Sequence, residues 1–153
     1  MDRTDAALAY LKEGFSVIPV LPSDKRPATE WKVYQERPAT EDEVAEWWKR
    51  WPDANLGIVT GRISGLSVID VDGKTGIVSI AEQPIKPPST RVIKTPHGWH
   101  LYYKYRPDWH TGAGLLPGID VRNDGGYVVA PPSQVDGTSY TVFRDKPIAE
   151  ITL

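Results

Sequence analysis

The chain has no cysteine among its 153 residues, which excludes disulfides and any zinc site built on thiolates. That absence is compatible with a reducing compartment. Long apolar runs are missing too. Phe15 to Leu21 falls far short of the roughly 18 residues that a membrane span requires, and no charged-then-apolar leader opens the chain. A soluble, cytoplasmic protein with no membrane partner is expected. An excess of basic residues is also lacking. The formal net charge of −2 argues against a protein that coats nucleic acid non-specifically. There is no internal repeat and no low-complexity stretch. The length fits a single domain over residues 1–153, long enough for a real core.

What charge there is lies unevenly. Glu36 to Asp53 holds six acidic residues, whereas Lys86 to Arg106 holds five basic residues and no acid. A local basic stretch suits an anionic ligand, although a solvated charged face has the same composition. Thr4 or Asp5 can cap a helix to about Lys12, ended by Gly14, and Phe15 to Val20 reads as a strand. Thr40-Glu-Asp-Glu43 is a capping box opening a helix to about Trp51, with Val44, Trp47, Trp48 and Trp51 on its buried face and Pro52 as its stop. Strands are expected at 55–61, 66–72, 90–95, 99–105, 119–122, 127–130 and 139–143, with a short helix at 75–81 and an irregular loop over 106–118. The order gives an α+β fold in which helices cover one face of a sheet.

Gly65-Leu-Ser-Val-Ile-Asp-Val-Asp-Gly73 carries the most informative pattern. Side chains alternate across a strand, so Ile69 and Val71 face a core while Asp70 and Asp72 share the other face. Two carboxylates roughly 6–7 Å apart repel each other and need a cation, and oxygen ligands suit Mg²⁺ or Mn²⁺. Solvated turn chemistry at a strand end is the simpler reading of the same three residues. In the second piece, Thr95-Pro-His-Gly-Trp-His-Leu-Tyr-Tyr103, His100, Tyr102 and Lys104 alternate against Trp99, Leu101 and Tyr103. An imidazole displayed there can hydrogen-bond a phosphate oxygen or protonate a leaving group. His97 and His110 read as surface histidines. Gly118-Ile-Asp-Val-Arg122 repeats the first pattern, with Asp120 and Arg122 pointing away from Ile119 and Val121. If its strand neighbours 66–72, Asp120 is a third carboxylate; pairing with Arg122 or Arg91 is the alternative.

IDVDG, TPHGWHLYY and GIDVRNDGGYVVAPPS, in that order, resemble the three catalytic motifs of the prim-pol branch of the archaeo-eukaryotic primase superfamily. GFSVIPVLPSDKRPATEW and WWKRWPDANLGIVTGRISGLSVIDVDG resemble the opening segments of its bifunctional DNA primase/polymerase N-terminal domain, so the likeness runs from about Ala6 to Tyr140. The resemblance implies a catalytic core with an RRM-like antiparallel or mixed sheet and helices packed on it, joining nucleotides on a template. It implies that Asp70, Asp72 and Asp120 hold one or two Mg²⁺ or Mn²⁺ ions and that His100 contacts the phosphates of an incoming NTP or dNTP. Many members carry a serine two residues before that histidine, where Gly98 stands here; a hydroxyl would have to come from Thr95. Only 27 residues separate Asp72 from His100, fewer than in larger members.

The resemblance implies a nucleotidyltransferase, a DNA primase/polymerase acting on a single-stranded DNA template and primer, and favours phage or plasmid replication. Members of the family often form the front end of a longer protein with a helicase. Lys94, Lys104, Arg122 and Arg91 are candidate cations for the leaving phosphates. Lys25, in a Lys-x-Pro loop that the family also carries, is a candidate phosphate or template contact. Tyr102 and then Trp109 are candidates for stacking on template bases. The rival readings are a non-catalytic prim-pol-like module that binds single-stranded nucleic acid or nucleotides, and a transferase using Asp-x-Asp with a nucleotide-sugar. A pure phosphate binder would gain by losing the three carboxylates, and the nucleotide-sugar reading leaves His100 and Asp120 unexplained.

Overall fold

A computed structural model describes residues 2–22 and 24–152. Helix α1 (Arg3–Glu13) starts where the Asp2 carboxylate accepts from the Asp5 amide at 2.8 Å, two or three residues before the Thr4 or Asp5 cap expected. It ends at Gly14 in the left-handed region. Strand β1 (Ser16–Val20) follows. Helix α2 (Glu41–Arg50) has both halves of its capping box: Glu43 N–H donates to Thr40 Oγ1, and the Glu43 carboxylate accepts from the Thr40 amide. Val44, Trp47 and Trp48 are its buried residues, and Trp48 Nε1 donates to the Ala54 carbonyl at 3.0 Å.

Strand β2 (Asn55–Val59) leads through a tight turn into β3 (Leu66–Asp72), which runs into helix α3 (Gly73–Ala81). Strands β4 (Val92–Thr95) and β5 (Gly98–Lys104) form a hairpin. Beyond them come β6 (Gly112–Leu116), β7 (Ile119–Arg122), β8 (Tyr127–Ala130), the short pair β9 (Gln134–Val135) and β10 (Thr138–Ser139), and β11 (Thr141–Arg144). The segment 106–118, expected to be irregular throughout, contains the edge strand β6 hydrogen-bonded to β7.

Two sheets result. β1, β2 and β8 form one, all antiparallel; the other has the order β11-β4-β5-β3-β7-β6, again antiparallel throughout. The larger sheet is covered on both faces, not on one. Leu66, Val68, Ile93 and Tyr102 face the main core with α1, α2, β1, β2 and β8. Ile69, Val71, Tyr103 and Ile119 face a smaller core closed by Ile80 of α3 and by Ala149 and Ile151 near the end of the described chain. β3 therefore buries alternate residues on opposite sides, and its polar pair Asp70 and Asp72 continues the row whose Leu66 and Val68 are fully buried. The main core stops short of Asp70. That is where the site opens.

Candidate active site

β3 lies between β5 and β7, and the register decides what meets Asp70. Asp70 pairs with His100 on one side and with Asp120 on the other. Directly opposed side chains on one face of a sheet have Cβ atoms about 4.5–5.5 Å apart. A single cross-strand row thus carries Ile93, His100, Asp70 and Asp120. The next row outward carries Thr95, Gly98 and Asp72.

Like charges directly opposed destabilise a sheet, so the Asp70–Asp120 pair needs compensation. Arg122, two residues after Asp120 on the same face, supplies it. Its Nη2 lies 3.8 Å from Asp70 Oδ2 and 3.7 Å from Asp120 Oδ2. Neither contact is within hydrogen-bond range, so this is ion pairing without a directional bond. The remaining oxygens face other groups. Asp70 Oδ1 faces His100 Nε2 at 3.7 Å, and Asp120 Oδ1 accepts from the Gly114 amide at 2.9 Å. Burial raises the Asp70 pKa, but His100, Arg122 and Lys25 outweigh it and leave the carboxyl below its ordinary value. His100 is buried, and its Nδ1 finds no hydrogen-bond partner among the described residues.

A cleft of about 350 Å³ opens over the His100–Asp70 part of this row, with Arg122 also in its wall; Asp120 and Asp72 lie outside its lining. Lys25 reaches it from the 21–27 loop, in the left-handed region (φ 64°), where Tyr127 Oη donates to the Lys25 carbonyl. Tyr127 is itself packed edge-on against Trp31, with ring centroids 5.1 Å apart. Gly125, Gly126 and Thr111 also line the cleft. Sequence reasoning missed Tyr140 altogether. Its ring lies 6.1 Å from that of His100, and burial, followed by the Asp70 charge, pushes its phenol up to about 12, so it remains a hydrogen-bond donor at neutral pH. A tyrosine after the last motif carries no local signal of this role.

The other candidates are dispersed. Asp72 is exposed and sits one row out from Asp70, opposite Gly98. Thr95 shares the His100 face but is buried outside the cleft lining. Lys94 is on the opposite face, over the Trp99 ring at 4.6 Å and donating to the Thr95 and Gly98 carbonyls. Arg91 pairs with Glu13 at 2.9 Å, beside α1. Lys104 lies four residues along β5 from His100, about 13 Å away at the usual strand rise. Tyr102 is buried in the main core and Trp109 packs on the second core, so neither presents a ring to a base at this cleft.

Gly98 has a steric reason. A Cβ there would lie 1.9 Å from the Val71 carbonyl oxygen, so the β3–β5 backbones leave no room for a serine. The mostly antiparallel α+β fold is consistent with one family. A model described as the bifunctional DNA primase/polymerase N-terminal domain matches residues 7–152. The chain belongs to the prim-pol family. It is thus a DNA primase/polymerase-type domain, and such domains bind DNA and nucleotides. A comparison with curated protein sequences returns no match. No helix among the described residues of this prim-pol domain is long and apolar enough to cross a membrane.

Two converging carboxylates with an adjacent imidazole are a donor set that suits Mg²⁺ or Mn²⁺. In the arrangement described, no group of three or more His, Asp or Glu side chains is close enough to hold an ion, among the described residues. The charge of the opposed pair Asp70–Asp120 is offset by Arg122.

Proposed function

We propose that this prim-pol domain catalyses template-directed nucleotidyl transfer. A primer 3′-hydroxyl attacks the α-phosphate of an NTP or dNTP, forming a phosphodiester and releasing pyrophosphate. The observation that supports this most is the cross-strand row His100–Asp70–Asp120, assembled from three motifs distant in sequence.

Asp70 and Asp120, with Asp72 from the adjoining row, would hold one or two Mg²⁺ or Mn²⁺ ions, which when bound lower the hydroxyl pKa and clamp the phosphate oxygens. The chain's own groups do the rest. His100, in the cleft wall beside Asp70, offers its ring to the triphosphate. Lys25 brings a positive charge over the cleft from a loop anchored by Tyr127, and Arg122 brings a second. Both offset charge developing on the leaving pyrophosphate. Tyr140 supplies a neutral donor on the His100 side of the cleft. Gly125 and Gly126 have no side chain to keep a substrate off the backbone.

Primer extension on a single-stranded template, with Mn²⁺ or Mg²⁺ and each nucleotide class, tests the reading. Asp70→Asn and Asp120→Asn are expected to lower extension by at least ~100-fold, the scale of losing one preorganised electrostatic group. Either variant retaining full activity would refute the assignment. Wild-type protein that binds template and nucleotide without turnover would point instead to a binding module.

A further inference from the structure

The side chain of Arg122 makes no hydrogen bond among the described residues, yet one nitrogen, Nη2, faces Oδ2 of both Asp70 and Asp120 at nearly equal distance, 3.8 Å and 3.7 Å. Of the outer oxygens, Asp120 Oδ1 accepts from the Gly114 amide, and Asp70 Oδ1 faces His100 Nε2 at 3.7 Å without a hydrogen bond. The two inner oxygens therefore converge on one cation position, and a side chain of the protein occupies it. The guanidinium is about one-third exposed and lines the cleft, so it can leave toward solvent or toward a bound anion without breaking a packed core.

We propose that Arg122 is an internal cation that competes with the metal for the Asp70–Asp120 pair. This rests on the metal-site reading above. With no divalent ion, Arg122 neutralises the opposed carboxylates and keeps β3 and β7 in register. An ion that draws the two oxygens inward displaces the guanidinium into the cleft, where it becomes available to a triphosphate. Ion and nucleotide binding are then coupled through one side chain. The ion pays for Arg122's release, and the nucleotide gains a contact absent from the ion-free state.

The test uses binding, not turnover. Free Mn²⁺ is followed by electron paramagnetic resonance for wild type, Arg122→Gln and Asp70→Asn, without nucleotide. Asp70→Asn is expected to lose the site. Arg122→Gln is expected to bind Mn²⁺ roughly five-fold more tightly than wild type, the equivalent of removing a partly exposed ion-pair competitor. A non-hydrolysable dNTP should tighten Mn²⁺ binding in wild type and do so less in Arg122→Gln. Equal or weaker Mn²⁺ binding by Arg122→Gln overturns the competition. A second measurement needs no variant: the Arg122 Nε–Hε resonance of wild type should move during a Mg²⁺ titration in step with the Asp70 carboxyl carbon. An Asp70 signal that moves while Arg122 stays fixed also overturns the proposal. If neither signal moves, and Asp70→Asn binds Mn²⁺ as wild type does, the metal-site reading itself fails and the competition with it.

Discussion

Asn123 is fully buried and ties the end of β7 to β3 and to the loop after β5. Its Oδ1 accepts from Ser67 Oγ at 2.8 Å, and its Nδ2 donates to the Arg106 and Trp109 carbonyls at 2.8 Å and 2.9 Å. These bonds fix β3, the start of the 106–111 loop and the end of β7, the strand that carries Asp120 and Arg122. Asn123→Ala leaves two carbonyls and a hydroxyl short of a partner in the interior. Thermal and urea unfolding are expected to show a loss of about 2–4 kcal/mol. A loss below about 0.5 kcal/mol would mean that water replaces the amide. Sequence reading passed over Asn123, because an asparagine after a strand looks the same whether it caps a turn or knits a core. Asp70 was legible by contrast: strand alternation alone puts it on a polar row with Asp72.

At the scale of the element, α2 shows local rules at work. Its capping box and its row of Val44, Trp47 and Trp48 were readable directly, since both depend on neighbours within one or two turns. One partner was not readable. Glu43, the third helical residue, also accepts from Arg37 at 2.8 Å and from Tyr34 Oη at 2.5 Å. Hydrogen bonding to Arg37, then Tyr34 and Thr40, pulls its carboxyl down from 4.5 to about 2 against the effect of burial. A folded pKa below the unfolded one contributes stability above about pH 4.5 that disappears as the pH falls toward 2. Glu43→Gln is therefore expected to lower Tm at pH 6 and to narrow the Tm difference between pH 6 and pH 3. Melting curves at both pH values decide it, and an unchanged difference would remove Glu43 from the acid sensitivity. The β4–β5 hairpin marks the limit of local reading. Its two strands were expected, but which of Lys94 and Thr95 shares the His100 face is set by the pairing Thr95↔Gly98.

Across the whole molecule, two unequal cores share one sheet. β3 is paired on both sides and buried on both faces over Leu66–Ile69. α3 covers the smaller core and leaves Ile77 and Val78 exposed. Native-state hydrogen exchange should find the β3 amides exchanging only by global unfolding and those of α3 exchanging through a cheaper local opening. Equal protection of the two would show that the cores unfold as one unit. The electrostatics are also global. With net charge −2 and few cleft cations, Lys25 and Arg122 foremost, binding of labelled single-stranded DNA should weaken with salt along a shallow slope of about −1 to −2 in log–log form. A slope beyond about −4, measured by fluorescence anisotropy, would reveal a larger basic surface than this cleft provides.

By itself the sequence determined the features that repeat every two or every 3.6 residues: the helix caps, the strand segments, and the sharing of one face by Asp70 with Asp72, His100 with Tyr102, and Asp120 with Arg122. The tertiary structure alone decided strand order and register. β5 and β7 flank β3 because its apolar residues on both faces must be buried together, and a slip of one residue would exchange its two faces and send the Asp70 row toward the smaller core. That same constraint sets Asp70 between His100 and Asp120, closes the core over Tyr102, turns Lys94 to the far face and diverts Arg91 to Glu13. Register is an energy of the whole sheet, and no window of neighbouring residues contains it.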